Sequence, residues 1–366
     1  MIIKVTQEKL SKALNNVSRI AMNKVTLPIL NNVLLRVEKK KVYLITTNLD
    51  MAVKDYLPVS NSEDGVVTVP AKLLAEFVSN LPKGETIEIT SEDTKVKIKA
   101  GKYSSIINGS IADDFPELPE INEKKAVIYK IGADEFKNSM SQVLIATSSD
   151  LTRPALTGVY FNTSDHTLAV ASTDGYRLAE KKLIDKTESE VSAIVPASSL
   201  QEVLRSISDD VEEIEIAFND DLVRFRLGEV EIISKLIDAS FPDYQKLIPK
   251  DNDIFASVNR EELVRVTKLA ALFARSVGGS IICEAKDSNT FSVKSIANEY
   301  GENDSEIEAT IKNTGKVNLN SRFLLDALGA LEEKELELSF SNRVTPIILK
   351  NKKSKLYTHI IMPLNS

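Results

Sequence analysis

The chain of 366 residues has no tryptophan, one cysteine and two histidines. A lone Cys283 excludes an internal disulfide, and MIIKVTQEKL at the start carries no secretory pattern, so a reducing cytoplasm is the expected compartment. Cys283, His166 and His359 lie far apart in the repeat pattern described below, which leaves no zinc-ligand spacing and no expected metal. No apolar run approaches the roughly 18 residues that a membrane helix needs. GxxxxGK[ST], GxGxxG and GxSxG are all missing, so neither a phosphate cradle nor a nucleophile elbow is visible. With aromatics at 6%, there is also no ladder of rings on which single strands could stack. Acidic pairs such as Asp113-Asp114 and Asp209-Asp210 read as solvated loop charge, and the sequons at Asn16, Asn108, Asn162 and Asn303 as chance matches. No catalytic residue and no cofactor site is expected.

What is present is an internal repeat. VTVPAKLLAEFVSNLPKGETIEI at 67–89, AIVPASSLQEVLRSISDDVEEIEI at 193–216 and VNLNSRFLLDALGALEEKELEL at 317–338 share one grammar. A β-like stretch meets a turn, an amphipathic helix follows, and a charged turn leads into an alternating strand. Pro70 and Pro196 are 126 residues apart, and Asn320 follows Pro196 by 124. A unit of that size is too long for a solenoid, whose repeats run roughly 20–50 residues, so three domains of one fold are expected.

Each repeat opens on a further amphipathic helix. In 6–21, Thr6 stands where a cap belongs, and Leu10, Leu14, Val17 and Ala21 form an apolar stripe. The corresponding helices are expected over 133–148 and 259–275, and a serine-capped one follows Pro196. Short strands are expected at 32–37, 42–46, 52–56, 86–90, 95–99 and 103–107. In the middle repeat they fall at 158–162, 167–172, 213–218, 222–227 and 230–236, and a last one at 356–362. Polar breaks at 120–125 and 247–253 read as linkers, each preceded by a Phe-Pro pair, Phe115-Pro116 and Phe241-Pro242. Two helices and about eight strands per repeat imply an α+β unit with both helices on one sheet face. Three in a row leave a sheet edge exposed at each chain end, and a head-to-tail contact between two copies would close a ring of six units.

The net charge of −7 argues against wrapping nucleic acid over the whole surface but leaves room for a local basic face. Lys9, Lys12 and Arg19 lie away from the apolar stripe of the first helix. Arg265, Lys268 and Arg275 repeat the same spacing in the third repeat. Lys24 follows the first helix; Lys137 is the middle repeat's weaker counterpart; Lys72, Arg205 and Arg322 come from the second helices. A ring would gather these faces into one lining, suited to phosphate contact without base reading. Taken one helix at a time, a solvated face is the simpler reading. A three-repeat β-rich scaffold unrelated to DNA, or an enzyme using scattered carboxylates, stays open on the residues alone. Asp174-Gly175 is a hairpin-turn signal, and the terminal Ile360-Ile361-Met362-Pro363-Leu364 is apolar without an evident core role.

TLPIL at 26–30, VPA at 69–71 and 195–197, DFP at 114–116, STDGYRLA at 172–179, SKLIDASFPDYQKLIP at 234–249 and IIMPL at 360–364 together resemble the bacterial β sliding clamps. These are the processivity subunits of the replicative DNA polymerase, the beta subunits of DNA polymerase III. The resemblance covers the whole chain in order. It implies three domains of the DNA-clamp fold, placed at 1–122, 126–247 and 250–366, with two chains closing head to tail around duplex DNA. It implies as partners the replicative polymerase, the clamp loader and other proteins carrying short clamp-binding peptides, with no membrane involved. By motif, the peptide pocket would use Arg153, Leu156, Thr173, Gly175, Tyr176, Arg177, Leu178, Pro242, Leu247, Asn320, Phe323, Val344, Pro346, Ile360, Met362, Pro363 and Leu364. Arg177 and Asn320 would orient the peptide at its rim. Tyr176 stands where the family often has His, and Asn365 where it often has a basic residue. For the dimer contact, the resemblance pairs the strand near Ile106 with the helix near Leu272 and Phe273.

Overall fold

The computed structural model describes the chain apart from residues 23–26, 60–61, 250, 288, 342–344 and 365–366, and the side chain at position 22. Among the described residues there are six α-helices, two per repeat: α1 Gln7–Ser18, α2 Ala71–Ser79, α3 Ala133–Leu144, α4 Ala197–Ser206, α5 Arg260–Ala274 and α6 Ser321–Ala330. The chain divides into two compact units. One comprises Met1–Asp134 with Ser198–Leu236, the other Glu135–Ala197 with Ile237–Ser366.

The strands expected from alternation are present, each within a residue or two at its ends. They include Asn32–Glu38, Lys41–Thr47, Met51–Pro58, Tyr103–Asn108, Gly158–Ser164, Thr167–Thr173 and Tyr357–Ile361. Sequence periodicity did not mark how they join. In the first unit an eight-stranded sheet is continuous from the first repeat to the middle one, because Met51–Pro58 pairs antiparallel with Val230–Lys235. In the second unit a twelve-stranded sheet is continuous from the middle repeat to the third, where Arg177–Ile184 pairs with Tyr357–Ile361. The middle repeat is thereby shared between the two units.

Apolar spacing builds the helices onto these sheets. α1 buries Leu10, Ala13, Leu14 and Val17 and packs on α2 and on the strands Lys41–Thr47 and Met51–Pro58. α5 likewise packs on α6 and on Thr290–Ala297 and Gly301–Lys312. Helix entry differs from the sequence expectation at two points. Thr6 occupies the N-cap position of α1 with no side-chain cap bond; Gln7 instead donates from Nε2 to the Val78 carbonyl at 2.9 Å, tying α1 to α2. α4 has no serine at its cap position, since Pro196 ends the preceding strand and Ala197 starts the helix. Ser199 lies one turn in, where its hydroxyl is 2.7 Å from that of Ser234. Asn259 and Asn320 do cap, each accepting two backbone N–H bonds at the start of α5 and α6.

Free edges lie in the first and third repeats, though not at the terminal strand. Tyr103–Asn108 is an edge strand of a five-stranded sheet in the first unit. The terminal strand Tyr357–Ile361 is interior, paired on both sides. In the second unit, Gly301–Lys312 pairs through 301–308 with Thr290–Ala297 on one side. On its other side it pairs only through 309–312 with Ile254–Asn259. Its first half therefore offers a free edge among the described residues.

Candidate functional site

The cations singled out in the sequence are not equivalent once placed. In the first unit Lys9 and Lys12 are exposed on α1, and Lys12 Nζ lies 3.2 Å from Asp210 Oδ1. The Ser208 hydroxyl, the Asp210 backbone and Lys12 together hold the Asp210 carboxyl below the usual range. Arg19 is engaged inward: its Nε donates to Glu202 Oε1 at 2.8 Å, and Nη2 stands 2.7 Å from the same oxygen. The Glu202 side chain is 4% exposed, so Arg19 serves first to neutralise a buried carboxylate. Arg205 approaches the other Glu202 oxygen at 3.6 Å, while Lys72 makes only a long i,i+4 contact with Glu76. Lys24 lies outside the described residues.

In the second unit, Arg265, Lys268 and Arg275 are exposed along α5 and the turn that follows it, with Arg322 on α6 and Lys137 on α3. None of these five has a carboxylate within ion-pair distance among the described residues. The basic spacing read from the sequence thus leaves unpaired charge, among the described residues, on α5, and on α1 through Lys9, while Lys12 is shared with Asp210. Arg19 is the correction.

The described residues expected in the pocket all belong to the second unit, and several of them touch. Asp174-Gly175 makes the hairpin turn between Thr167–Thr173 and Arg177–Ile184, with Gly175 at φ +93°. Asp174 Oδ1 accepts the N–H groups of Tyr176 and Arg177, and the Thr173 hydroxyl donates to the Arg177 carbonyl. A side chain at Gly175 would also press on Arg153, whose Nε pairs with Asp150 at 3.1 Å. The terminal stretch joins this hairpin directly. Leu178 pairs with Ile360, the Met362 N–H donates to the Tyr176 carbonyl, and that of Leu364 to Asn318. Leu178 and Ile360 then enter one apolar cluster with Ala171, Tyr244 and Ile348. Leu156 is buried; Pro242, Leu247, Tyr176 and Met362 remain exposed; Pro346, Pro363 and Leu364 are half-buried. Val344 lies outside the described residues.

Two polar members have a different role from the one expected. Arg177, 9% exposed, pairs with Asp174 Oδ2 at 3.0 Å and Asp326 Oδ2 at 2.6 Å, and its guanidinium lies 4.5 Å from the Phe323 ring centre. Asn320 spends its carbonyl on the N-terminus of α6, accepting from Arg322 and Phe323. Both act as positioning residues, Arg177 buried and Asn320 half-buried. Sequence reasoning missed Asp326, for which the signal was its place three residues after Phe323 on one face of α6.

The expected dimer residues are not members of this pocket. Ile106 is 62% exposed on its edge strand, Leu272 is 55% exposed on α5, and Phe273 is half-buried. Among the described residues no three His, Cys, Asp or Glu side chains gather as metal ligands, and no helix is long and apolar enough to cross a membrane.

Comparison with known proteins agrees over the whole length. Three family models of the DNA polymerase III beta subunit match in order: the N-terminal domain at residues 1–119, the central domain at 130–243 and the C-terminal domain at 245–365. A beta sliding clamp of Staphylococcus epidermidis is 29% identical over 364 residues, covering 96% of each chain. The crystal structure of a DNA polymerase sliding clamp from Bacillus subtilis superposes with a TM-score of 0.95 at 27% identity, covering 100% of this chain and 99% of that one. A sliding clamp from Bartonella birtlesii, bound to griselimycin, gives a TM-score of 0.94 at 28% identity with 100% of both chains covered.

Proposed function

The chain belongs to the DNA polymerase III beta subunit family, and from that premise we propose that it is a sliding clamp, a non-catalytic processivity factor that encircles duplex DNA. The observation that carries this reading is the threefold repeat itself, matched end to end by the three domain models of one subunit. We place the domains at 1–122, 126–247 and 250–366, and the protein in the cytoplasm.

Two copies close head to tail. The free edge at 301–308 and the edge strand Tyr103–Asn108 supply unpaired backbone groups, and Ile106 packs against Leu272 and Phe273. A closed ring stays on DNA because it surrounds it, so tight binding is unnecessary. Lys9, Lys12, Lys72, Lys137, Arg265, Lys268, Arg275 and Arg322, with Lys24, supply weak attraction to phosphates that permits sliding. Arg19 and Arg205 contribute less, being drawn to Glu202.

The pocket at Gly175–Leu178, Pro242, Leu247 and the terminal stretch takes short peptides of polymerase, clamp loader and other partners, raising their local concentration at the template. Its exposed Pro, Leu and Met surface suits an extended peptide with Leu and Phe anchors, and the thioether of Met362 adapts to several of them. Isothermal titration with the peptide Gln-Leu-Ser-Leu-Phe tests this. Removing residues 362–366 takes away two backbone bonds to the hairpin and to Asn318 while leaving the strand pairing intact. Binding is expected to vanish, with the oligomeric state unchanged. Full-strength binding by the shortened chain would put the partner site elsewhere.

A further inference from the structure

The first and middle repeats correspond residue by residue at a step of 126. Asn32–Glu38 answers Gly158–Ser164, Lys41–Thr47 answers Thr167–Thr173, and Met51–Pro58 answers Arg177–Ile184. In both, a Phe-Pro segment lies across one face of these strands, bringing Phe115 onto Leu34 and Ile45, and Phe241 onto Tyr160. What fills the space beside that phenylalanine differs.

In the middle repeat two tyrosine rings pack beside it. Tyr160 stacks on Phe241 with centroids 4.8 Å apart and planes 12° apart, and Tyr244 meets Phe241 edge-on at 6.0 Å. The Tyr244 hydroxyl donates to Glu180 at 2.8 Å. At the matching positions the first repeat has Leu34 for Tyr160, Leu118 for Tyr244 and Lys54 for Glu180. With two rings gone, a cavity of about 660 Å3 opens over Leu34, Ile45 and Phe115. Along one wall run Lys54, whose Nζ is 5.2 Å from the centre of the Tyr43 ring, and Arg36, paired in register with Tyr43. Neither cation has a carboxylate within ion-pair distance among the described residues. Glu117 and Glu120 line the cavity as well.

We propose that this groove docks an extended peptide segment carrying an aromatic side chain next to a carboxylate. The ring stacks on Phe115 as Tyr160 does on Phe241, and the carboxylate takes the charge of Lys54 and Arg36. Glu38, Glu117 and Glu120 decide for a peptide over a nucleotide. They repel a polyphosphate but accept a basic residue further along a peptide of mixed charge. The site stands on the first repeat alone and does not depend on the clamp reading.

Because the chain has no tryptophan, an indole probe reports binding without background. The probe is the acetylated, amidated peptide Gly-Trp-Asp-Gly-Lys, followed by its fluorescence anisotropy. Saturable binding is expected, weakened about tenfold by Lys54→Glu and by replacing the probe's Asp with Asn. The double variant Leu34→Tyr, Leu118→Tyr restores the middle repeat's rings and should abolish binding. Its thermal melt reports whether it folds, and Lys54→Glu decides alone if it does not. Excess Gln-Leu-Ser-Leu-Phe should leave the probe bound. The proposal is overturned by absent binding, by affinity indifferent to Lys54→Glu, by displacement with Gln-Leu-Ser-Leu-Phe, or by AMP binding more tightly than the probe.

Discussion

Arg177 Nη1 stands 2.6 Å from Asp326 Oδ2, so a side chain from the middle repeat's hairpin is held by the second helix of the third. The same guanidinium keeps Asp174 in the turn at 3.0 Å. One cation therefore sets both the shape of the hairpin and its distance from α6. Asp326→Ala removes half of that hold and leaves Arg177 with one partner beneath the surface. Stability is expected to fall by about 1–3 kcal/mol in urea unfolding, and Gln-Leu-Ser-Leu-Phe affinity by about tenfold. Unchanged affinity would show that the pocket does not need Arg177 in this position.

Closure of the ring is expected to rest on apolar contact at α5. Leu272→Ala combined with Phe273→Ala should shift the protein from dimer to monomer in sedimentation at micromolar concentration. Each truncation in an interface core costs about 2 kcal/mol or more. A dimer mass unaffected by both changes would contradict the assignment of Ile106, Leu272 and Phe273.

The available cations and the engaged one should separate experimentally. Replacing Lys9, Arg265, Lys268 and Arg275 with Ala should weaken non-specific duplex binding and flatten its dependence on salt, by about 0.9 in log–log slope for each phosphate no longer neutralised. Arg19→Ala should act mainly on stability, by about 1–3 kcal/mol, because Glu202 is left buried with only Arg205 nearby. A larger effect on DNA binding from Lys39 and Lys40, in the hairpin between the strands Asn32–Glu38 and Lys41–Thr47, would count against the helix faces.

His359 predicts a pH dependence. It is fully buried, with Nδ1 2.8 Å from the Tyr357 hydroxyl; burial, with a smaller effect of Arg177, pushes its pKa down to about 3. In the unfolded chain the imidazole titrates near its ordinary value of about 6.5. Between those values the unfolded state binds the extra proton. Stability is therefore full above about 6.5 and falls as pH drops, by about 1.4 kcal/mol per unit from this group. His359→Gln should remove about 2 kcal/mol of the difference between pH 7 and pH 5 in urea unfolding. The same difference in the variant would assign the pH dependence to other groups.

Much of the architecture was legible because its signals are local. The period of α1 and α5, the alternation of the strands and the 126-residue step all appear in the order of residues, and the structure keeps them. Pairing between repeats was not legible, since the choice of Val230–Lys235 as partner for Met51–Pro58 leaves no mark in either strand's periodicity. The apolar members of the proposed peptide pocket come from motifs. Arg177 and Asn320 were placed at its rim, yet the structure uses one to bind Asp174 and Asp326 and the other to cap α6. Arg19 fits the basic spacing of α1, and only the approach of Glu202 from α4 reveals its engagement. For Arg177 and Arg19 the deciding partner sits more than a hundred residues away in the chain, beyond the reach of any local pattern.

Topological retention tests the central claim most directly. The protein is loaded onto nicked circular duplex DNA with a bacterial clamp loader, and the complex is passed over a sizing column in moderate salt before and after the circle is cut once. The account predicts that protein travels with the circle and is released on linearisation, because it holds DNA by surrounding it. Equal retention on circular and linear DNA would contradict encirclement and leave ordinary surface binding in its place.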